Sequence, residues 1–376
     1  MRIGINTRLL LKGKMDGIGW FTYETVKRIV EQHPEHQFFF FFDRPPSEEF
    51  IFAENVHPVV LFPQSRHPIL WYMFFQWSMR HAIKKHKIEV LLSTDGYMPL
   101  DTQIPTLTVI HDLNFEHFED NLKPSHQRYM TRYFPQFARY ATRIATVSQY
   151  SREDISKTYN IDSMKIDVVY NGANTHYIPI DEETKQQTRD RYTDGKKYFI
   201  FVSTILKRKN LENLLKAFER LRTMQEAPFE LVVVGARAQW GKSLQNTYQS
   251  MHYKDSVHLV GRVEPDELKK LVGSSEALVY PSFFEGFGIP IVEAFYAETA
   301  VITSNVTSMP EVAGDAAILI DPSNPEEIAQ AMLKICNNEQ FRNELISKGI
   351  EQRQRFSWEK TATLLWDSLT KTVNHK

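Results

Sequence analysis

Tyr280-Pro281-Ser282-Phe283-Phe284-Glu285-Gly286-Phe287-Gly288-Ile289-Pro290-Ile291-Val292-Glu293-Ala294 is the stretch on which the reading of this chain turns. A short apolar run, Ala277 to Tyr280, leads into it, and a helical pattern leads out. Gly286 and Gly288 permit backbone angles closed to other residues and let a ligand approach the main chain. Pro290 suits the first turn of a helix, where its missing N–H is not needed. The expected order is therefore strand, glycine-bearing loop, helix. Unpaired N–H groups at a helix N-terminus carry partial positive charge and favour a phosphate or a sugar hydroxyl by roughly 1 kcal/mol. Glu285 in the loop and Glu293 in the first helical turns, seven residues between them, set two carboxylates around one pocket rim. Carboxylate oxygens each accept two donors, which suits the hydroxyls of a ribose or a hexose. For either glutamate taken singly the alternative is structural: Glu293 complementing the helix dipole, Glu285 solvated.

Working outward, β-branched and aromatic runs alternate with amphipathic segments through most of the 376 residues, the pattern of parallel sheets covered by helices. That length asks for two α/β domains. In the first half the strands are expected at Arg2–Asn6, Gln37–Phe42, Val59–Phe62, Glu89–Ser93, Thr106–His111, Ile144–Ser148 and Lys165–Tyr170. In the second they are expected at Tyr198–Ser203, Glu230–Gly235, Val257–Val260, Ala277–Tyr280, Ala300–Ser304 and Ala317–Ile320. Asn171 to Lys197 is polar, has no apolar strand and reads as a linker. The expected domains are 1–180, joined by a terminal helix over 358–376, and 181–357. Ser357 is placed to cap that helix, and Thr361, Leu364, Leu365 and Leu369 lie near helical spacing on its docking face.

A second constellation is Phe201-Val202-Ser203-Thr204-Ile205-Leu206-Lys207-Arg208-Lys209-Asn210-Leu211, a strand running into a basic loop and then an amphipathic helix. Like charges repel, so three adjacent cations at this place call for an anion such as a diphosphate. The loop is also the first βα loop of the second sheet, and open α/β sheets bind ligands beyond the C-terminal ends of their strands. In the first half, Gly17-Ile18-Gly19 precedes a helical segment; alone it is shared with many turns and lacks the third glycine of a dinucleotide fingerprint. His111-Asp112 ends a strand, where a histidine either satisfies backbone groups or projects into a site. The aromatic run Leu70 to Arg80, followed by Lys84, Lys85 and Lys87, reads as buried core, with an interfacial helix as the alternative.

Glu285-Gly286-Phe287-Gly288 with Pro290 and Glu293 resembles the E-x7-E signature of retaining glycosyltransferases of family 4, and the likeness continues in Ser304-Asn305, Met309 to Ala317 and Asp321-Pro322. The resemblance implies a GT-B fold: two Rossmann-like α/β domains with parallel sheets facing a central cleft, and a C-terminal helix crossing back to the N-terminal domain. It implies transfer of a hexose from a nucleotide-diphosphate sugar, which serves as donor substrate with no further cofactor and no metal. Carried residue by residue, it assigns Glu293 to the ribose and Lys209 with Arg208 to the diphosphate. Glu285, Gly286, Phe287 and Gly288 fall to the hexose, His111 to the donor sugar, and Gly17 and Gly19 to a loop facing the donor phosphates. Gly19-Trp20-Phe21-Thr22-Tyr23-Glu24, His111-Asp112-Leu113 and Phe356-Ser357-Trp358 look most like bacterial mannosyltransferases of the O-antigen and capsule type, which favours GDP-mannose over a UDP-sugar. The expected acceptor is a glycan or a lipid-linked glycan, with peripheral contact to a membrane as a further expectation. The sequence departs from the family at Ser203, where glycine is frequent, and at Glu298 and Ala300, where glycine and proline are usual. A glutamate supplies left-handed geometry poorly, so the second turn is expected to be built differently.

Composition narrows the alternatives. Forty-five basic residues against 46 acidic ones argue against nucleic acid as a partner. A single cysteine, Cys336, excludes an intramolecular disulfide and a cysteine-based zinc site. The first residues read as a strand rather than a signal peptide, and no apolar run reaches membrane-spanning length, so a cytoplasmic protein is expected. The rival readings are a nucleotide-sugar epimerase or glycan phosphorylase of the same fold, and a catalytically silent sugar-nucleotide-binding scaffold.

Overall fold

A computed structural model describes residues 1–118, 122–173, 177–224, 229–238 and 240–374. The first sheet has seven strands: β1 (Arg2–Asn6), β2 (Gln37–Phe42), β3 (Val56–Val60), β4 (Val90–Ser93), β5 (Thr106–Val109), β6 (Arg143–Thr146) and β7 (Ile166–Val168). Their spatial order is β3-β2-β1-β4-β5-β6-β7, and every pair is parallel. The second sheet has six: β8 (Tyr198–Val202), β9 (Glu230–Val234), β10 (Val257–Gly261), β11 (Ala277–Tyr280), β12 (Ala300–Ser304) and β13 (Ala317–Ile320). Its order is β10-β9-β8-β11-β12-β13, again all parallel. Sheets covered by helices on both faces read as unbroken apolar runs; β2, one glutamine and five phenylalanines, buries all five. In each sheet the order reverses beside the first strand, between β1 and β4 and between β8 and β11. These are the switch points at which such sheets bind ligands.

The chain divides into two compact units, Met1–Gly172 with Ser357–Lys376, and Ala173–Phe356. The division falls before the expected 180/181 because Ile180 packs on the second unit, against Gly273. The stretch expected as a linker holds a helix, Glu182–Thr193, with Asp181 capping the amide of Thr184 at 2.7 Å. It lacks an apolar stripe because polar contacts dock it: Arg189 pairs with buried Glu276 at 3.1 Å, and the Tyr192 hydroxyl donates to Glu267 at 2.9 Å. The terminal helix, Trp358–Asn374, starts where the Ser357 hydroxyl accepts from the Lys360 amide, and it packs on the helix Gly17–Gln32 of its own unit. Its docking face is Trp358, Thr361, Ala362, Leu365, Ser368, Leu369 and Thr372; Leu364, expected there, is half-exposed on the other side. The third strand likewise ends at Val60, two residues before the expected Phe62, whose ring stands in solvent.

The two departures from the family pattern have local solutions. Glu298 does adopt the left-handed conformation, with φ of 54°, contrary to the expectation of a differently built turn. The turn is fixed from both sides, the Glu298 amide bonding the Phe295 carbonyl and the Thr299 amide the Ala294 carbonyl, and Arg353 lies 3.6 Å from its carboxylate. Ser203 is tolerated because the close approach is made by its neighbour: Gly235 has φ of 147°, and a Cβ there would overlap the Ser203 carbonyl. Left-handed geometry in a residue with a Cβ costs about 1 kcal/mol. Glu298→Gly is therefore expected to raise stability by about 0.5–1 kcal/mol after the entropy of the freer unfolded chain is subtracted; urea denaturation with an unchanged m-value measures it.

Candidate active site

In the second unit the loops after β8 and β11, neighbours across the switch point, bring the basic run and the glycine-bearing loop together. A 3-10 turn, Lys207–Lys209, follows β8 and ends at Asn210, whose φ of 63° turns the chain into the helix Leu211–Met224. The Asn210 amide nitrogen donates to the carbonyls of Pro281 at 2.9 Å and Pro322 at 2.7 Å, tying three βα loops to one another. Lys209 is buried, and its ammonium bonds the Glu285 carboxylate and, at 2.9 Å, the Tyr280 hydroxyl. The Tyr280 hydroxyl in turn donates a hydrogen bond to Glu285 at 2.9 Å. Arg208 lies 3.2 Å from the other carboxylate oxygen and donates to the Phe284 carbonyl at 2.8 Å. Burial alone would raise the Glu285 carboxyl; the charges of Lys209 and then Arg208 outweigh it and hold the group down at about 2. Lys207, the first cation of the run, is exposed.

The loop itself is pinned from beneath. The Ser308 hydroxyl donates to the carbonyls of Glu285 at 2.9 Å and Phe287 at 3.0 Å, and the Glu285 amide donates to the Thr307 hydroxyl at 3.3 Å. Gly286 and Gly288 are buried, and Gly288, at φ of 100°, opens the helix Ile289–Tyr296 with Pro290 in its first turn. The Phe287 ring is buried against Phe356 at 5.4 Å, which leaves only the backbone of that residue for a ligand. Glu293 does not join the ion cluster. Its partner is the hydroxyl of buried Tyr177, and burial pushes its carboxyl up to about 7 against the opposing effect of that hydrogen bond.

In the first unit the equivalent edge is also polar. Beyond β1 and β4, Arg8 pairs with Asp95 at 2.5 Å and stacks over the Tyr97 ring at 4.6 Å. His111, beyond β5, places Nε2 2.9 Å from the Thr94 carbonyl, with its ring edge on Phe21. Burial lowers its pKa, so the ring is neutral near pH 7. A carbonyl only accepts, so Nε2 carries the proton and Nδ1 is an acceptor. Gly17 is exposed with open space around it, while Gly19 is packed tightly against Leu9 and Met15, its amide taken by the Asp16 cap at 2.9 Å. Among the described residues no group of three or more His, Cys, Asp or Glu could hold a metal ion.

Residues 182–352 match the family described as Glycosyl transferases group 1, and residues 15–177 match Glycosyltransferase Family 4. The chain belongs to the family 4 glycosyltransferases. It is 27% identical over 364 residues to the O-antigen chain mannosyltransferase B of Escherichia coli, covering 94% of this chain and 95% of that one. It is 29% identical over 270 residues to the O-antigen chain mannosyltransferase RfbU of Salmonella typhimurium, covering 71% of each. The structure of Anabaena HepE in complex with UDP-glucose superposes with a TM-score of 0.75 at 16% identity, over 99% of this chain and 100% of that one, a likeness of fold. The architecture is thus GT-B.

Of the residues singled out in this glycosyltransferase, Lys209, Arg208 and Glu285 meet, while Glu293 stands apart with Tyr177. Gly17, Gly19 and His111 lie in the other unit. Sequence reasoning passed over Tyr280, Tyr177, Ser308 and the Arg8–Asp95 pair; only Tyr280, at the strand end five residues before Glu285, had a position that pointed to it. Glu293 titrates near 4.5 when unfolded and near 7 when folded, so between those values the unfolded chain has released a proton that the folded chain keeps. Its contribution makes stability fall as pH rises through that window and level off above it. Glu285 acts in the opposite sense at lower pH, its contribution complete above about 4.5 and lost as pH falls toward 2. Glu293→Gln is expected to remove a fall on the order of 3 kcal/mol between about pH 4.5 and 7, read from urea unfolding at each pH.

Proposed function

We propose that this glycosyltransferase moves mannose from GDP-mannose to a hydroxyl of a growing bacterial surface glycan, with retention of anomeric configuration. The observation that carries the reading is the pair of cations, Lys209 and Arg208, fixed on a buried carboxylate at the switch-point edge. They are assigned to the diphosphate. Glu293 is assigned to the ribose, and Glu285 with the backbone of Gly286, Phe287 and Gly288 to the hexose. The first unit is assigned to the acceptor, its His111 to the donor sugar and its Gly17–Gly19 loop to the phosphates. The names of the Escherichia coli and Salmonella relatives favour mannose and O-antigen assembly; UDP-glucose bound to HepE makes a UDP-sugar the alternative donor.

In this reaction the bond from the anomeric carbon to the phosphate oxygen breaks, and its electron pair leaves with the diphosphate. Lys209 and Arg208 stand where that negative charge appears, already oriented and shielded from water. The acceptor oxygen bonds the anomeric carbon, and its proton passes to a donor phosphate oxygen. The acceptor is assigned as a glycan or a lipid-linked glycan, and the reaction to the cytoplasm, at the inner face of the membrane where the acceptor is lipid-linked. No helix among the described residues is long and apolar enough to cross one.

The test is a thermal-shift and turnover screen with GDP-mannose, UDP-glucose, UDP-galactose and UDP-N-acetylglucosamine. GDP-mannose at about 100 times its Kd is expected to stabilise the protein by about 2.7 kcal/mol. Lys209→Ala should lower kcat by about 10²–10³, whereas Glu293→Ala should act chiefly on the donor KM. Silence toward every nucleotide sugar and free nucleotide would overturn the reading in favour of a catalytically silent scaffold.

A further inference from the structure

The aromatic run Leu70 to Arg80 divides between two surroundings. It lies in one continuous helix built from Pro68–Met73, a π turn Phe74–Met79, and Arg80–Lys85. Trp71, Phe74, Phe75 and Met79 are core. The widened turn also buries Gln76, whose amide accepts from Leu100 N at 2.9 Å and donates to the Met98 carbonyl at 3.3 Å. With Gln76 inside, Trp77 comes out beside Tyr72, ring centroids 6.4 Å apart. Ile69, Tyr72, Trp77, His81, Lys84 and Lys85 are consequently all exposed, apolar toward the N-terminal half of the helix and basic toward its end. Phe62 joins the same face: Ser78 bonds its carbonyl, and a groove of about 390 Å³ runs between Phe62 and Trp77, with Val60, His81 and Lys85 in its walls. Phe62 is 82% exposed, Ile69 67% and Trp77 60%. Isolated exposed apolar side chains are ordinary, whereas a contiguous set on one face marks a contact surface.

We propose that the face formed by Phe62, Ile69, Tyr72 and Trp77, with Lys84 and Lys85 beside it, seats on an anionic lipid bilayer. The charge pattern selects this occupant. From Asn55 to Ile88 there is no Asp or Glu, while Arg66, Arg80, Lys84, Lys85 and Lys87 fall in the same stretch of a chain whose acids and bases balance over its whole length. Tyr72 also contacts Tyr133, over which exposed Arg132 lies, so the neighbouring helix adds a further cation. Trp and Tyr favour the headgroup level, Phe and Ile the acyl boundary, and lysines reach to anionic headgroups over their own alkyl stems. Only the purpose of the contact, bringing the enzyme to a lipid-linked acceptor, rests on the function proposed above; the contact is read from the surface itself.

The experiment is co-sedimentation of the full chain with phosphatidylcholine vesicles, with and without phosphatidylglycerol, in the absence of donor and acceptor. The protein should partition onto the phosphatidylglycerol vesicles and stay in solution with phosphatidylcholine alone. Phe62→Ser with Trp77→Ser, and separately Lys84→Glu with Lys85→Glu, should each lower the vesicle partition about tenfold, with the melting temperature little changed because these side chains are largely exposed. Donor turnover in lipid-free solution should also be unchanged, so a failed transferase reading and a failed membrane reading are told apart. Absence of partition onto either vesicle, or equal partition by wild type and both variants, overturns the proposal. So does a dimer in sedimentation velocity that the Phe62 and Trp77 changes dissolve without any vesicle binding, which would assign the face to a second copy of the chain.

Discussion

A parallel sheet delivers the C-terminal ends of all its strands to one edge, and each strand must then be followed by a helix that returns to the opposite edge before the next can begin. That constraint governs both units. It collects the βα loops along one edge of each sheet, and where the strand order reverses it leaves two adjacent loops without a helix crossing between them. Lys209 and Glu285 are 76 residues apart in the chain, yet they meet because β8 and β11 are neighbours. The helices, the caps and the burial of aromatic strands such as β2 serve to hold those edges open and their loops in place.

At the edge in the second unit the surroundings drive two glutamates to opposite states. Glu285 is buried with two cations and a phenol, and it stays ionised far into acid. Glu293, eight residues on, has a phenol as its partner among the described residues, and burial keeps its proton up to about 7. A carboxylate with fixed cations is a rigid element that orients them; a carboxyl poised near pH 7 is one whose charge a ligand can set. The difference lies in what packs around each side chain, not in the residue type.

Much of the fold could be read from residue order. Each expected strand is present, because a strand covered on both faces leaves an unbroken apolar run. Its ends were less legible, as at Phe62, because a phenylalanine is as acceptable in solvent beside another aromatic as it is in a strand. The helix Glu182–Thr193 escaped because it docks through Arg189 and Tyr192, leaving no apolar periodicity. Leu364 misled because one leucine on a helix does not reveal which way the helix is turned. Of the candidate site, the clustering of Lys209, Arg208 and Glu285 was foreshadowed by loop position. The contribution of Tyr177 was not, since nothing in its neighbourhood in sequence distinguishes a buried phenol that reaches Glu293 from one that fills space.

The ion cluster around Glu285 has a bearing on ionic strength. Mobile ions screen charges they can surround, and Lys209 and Glu285 are shut away from them, so the field of that cluster is nearly independent of dissolved salt. The lysines at the end of the Arg80–Lys85 segment are bathed in solvent and feel every change in it. One chain thus carries two populations of positive charge, one insulated and one responsive. Electrolyte is a dial that turns the outer set down while leaving the inner set as it was.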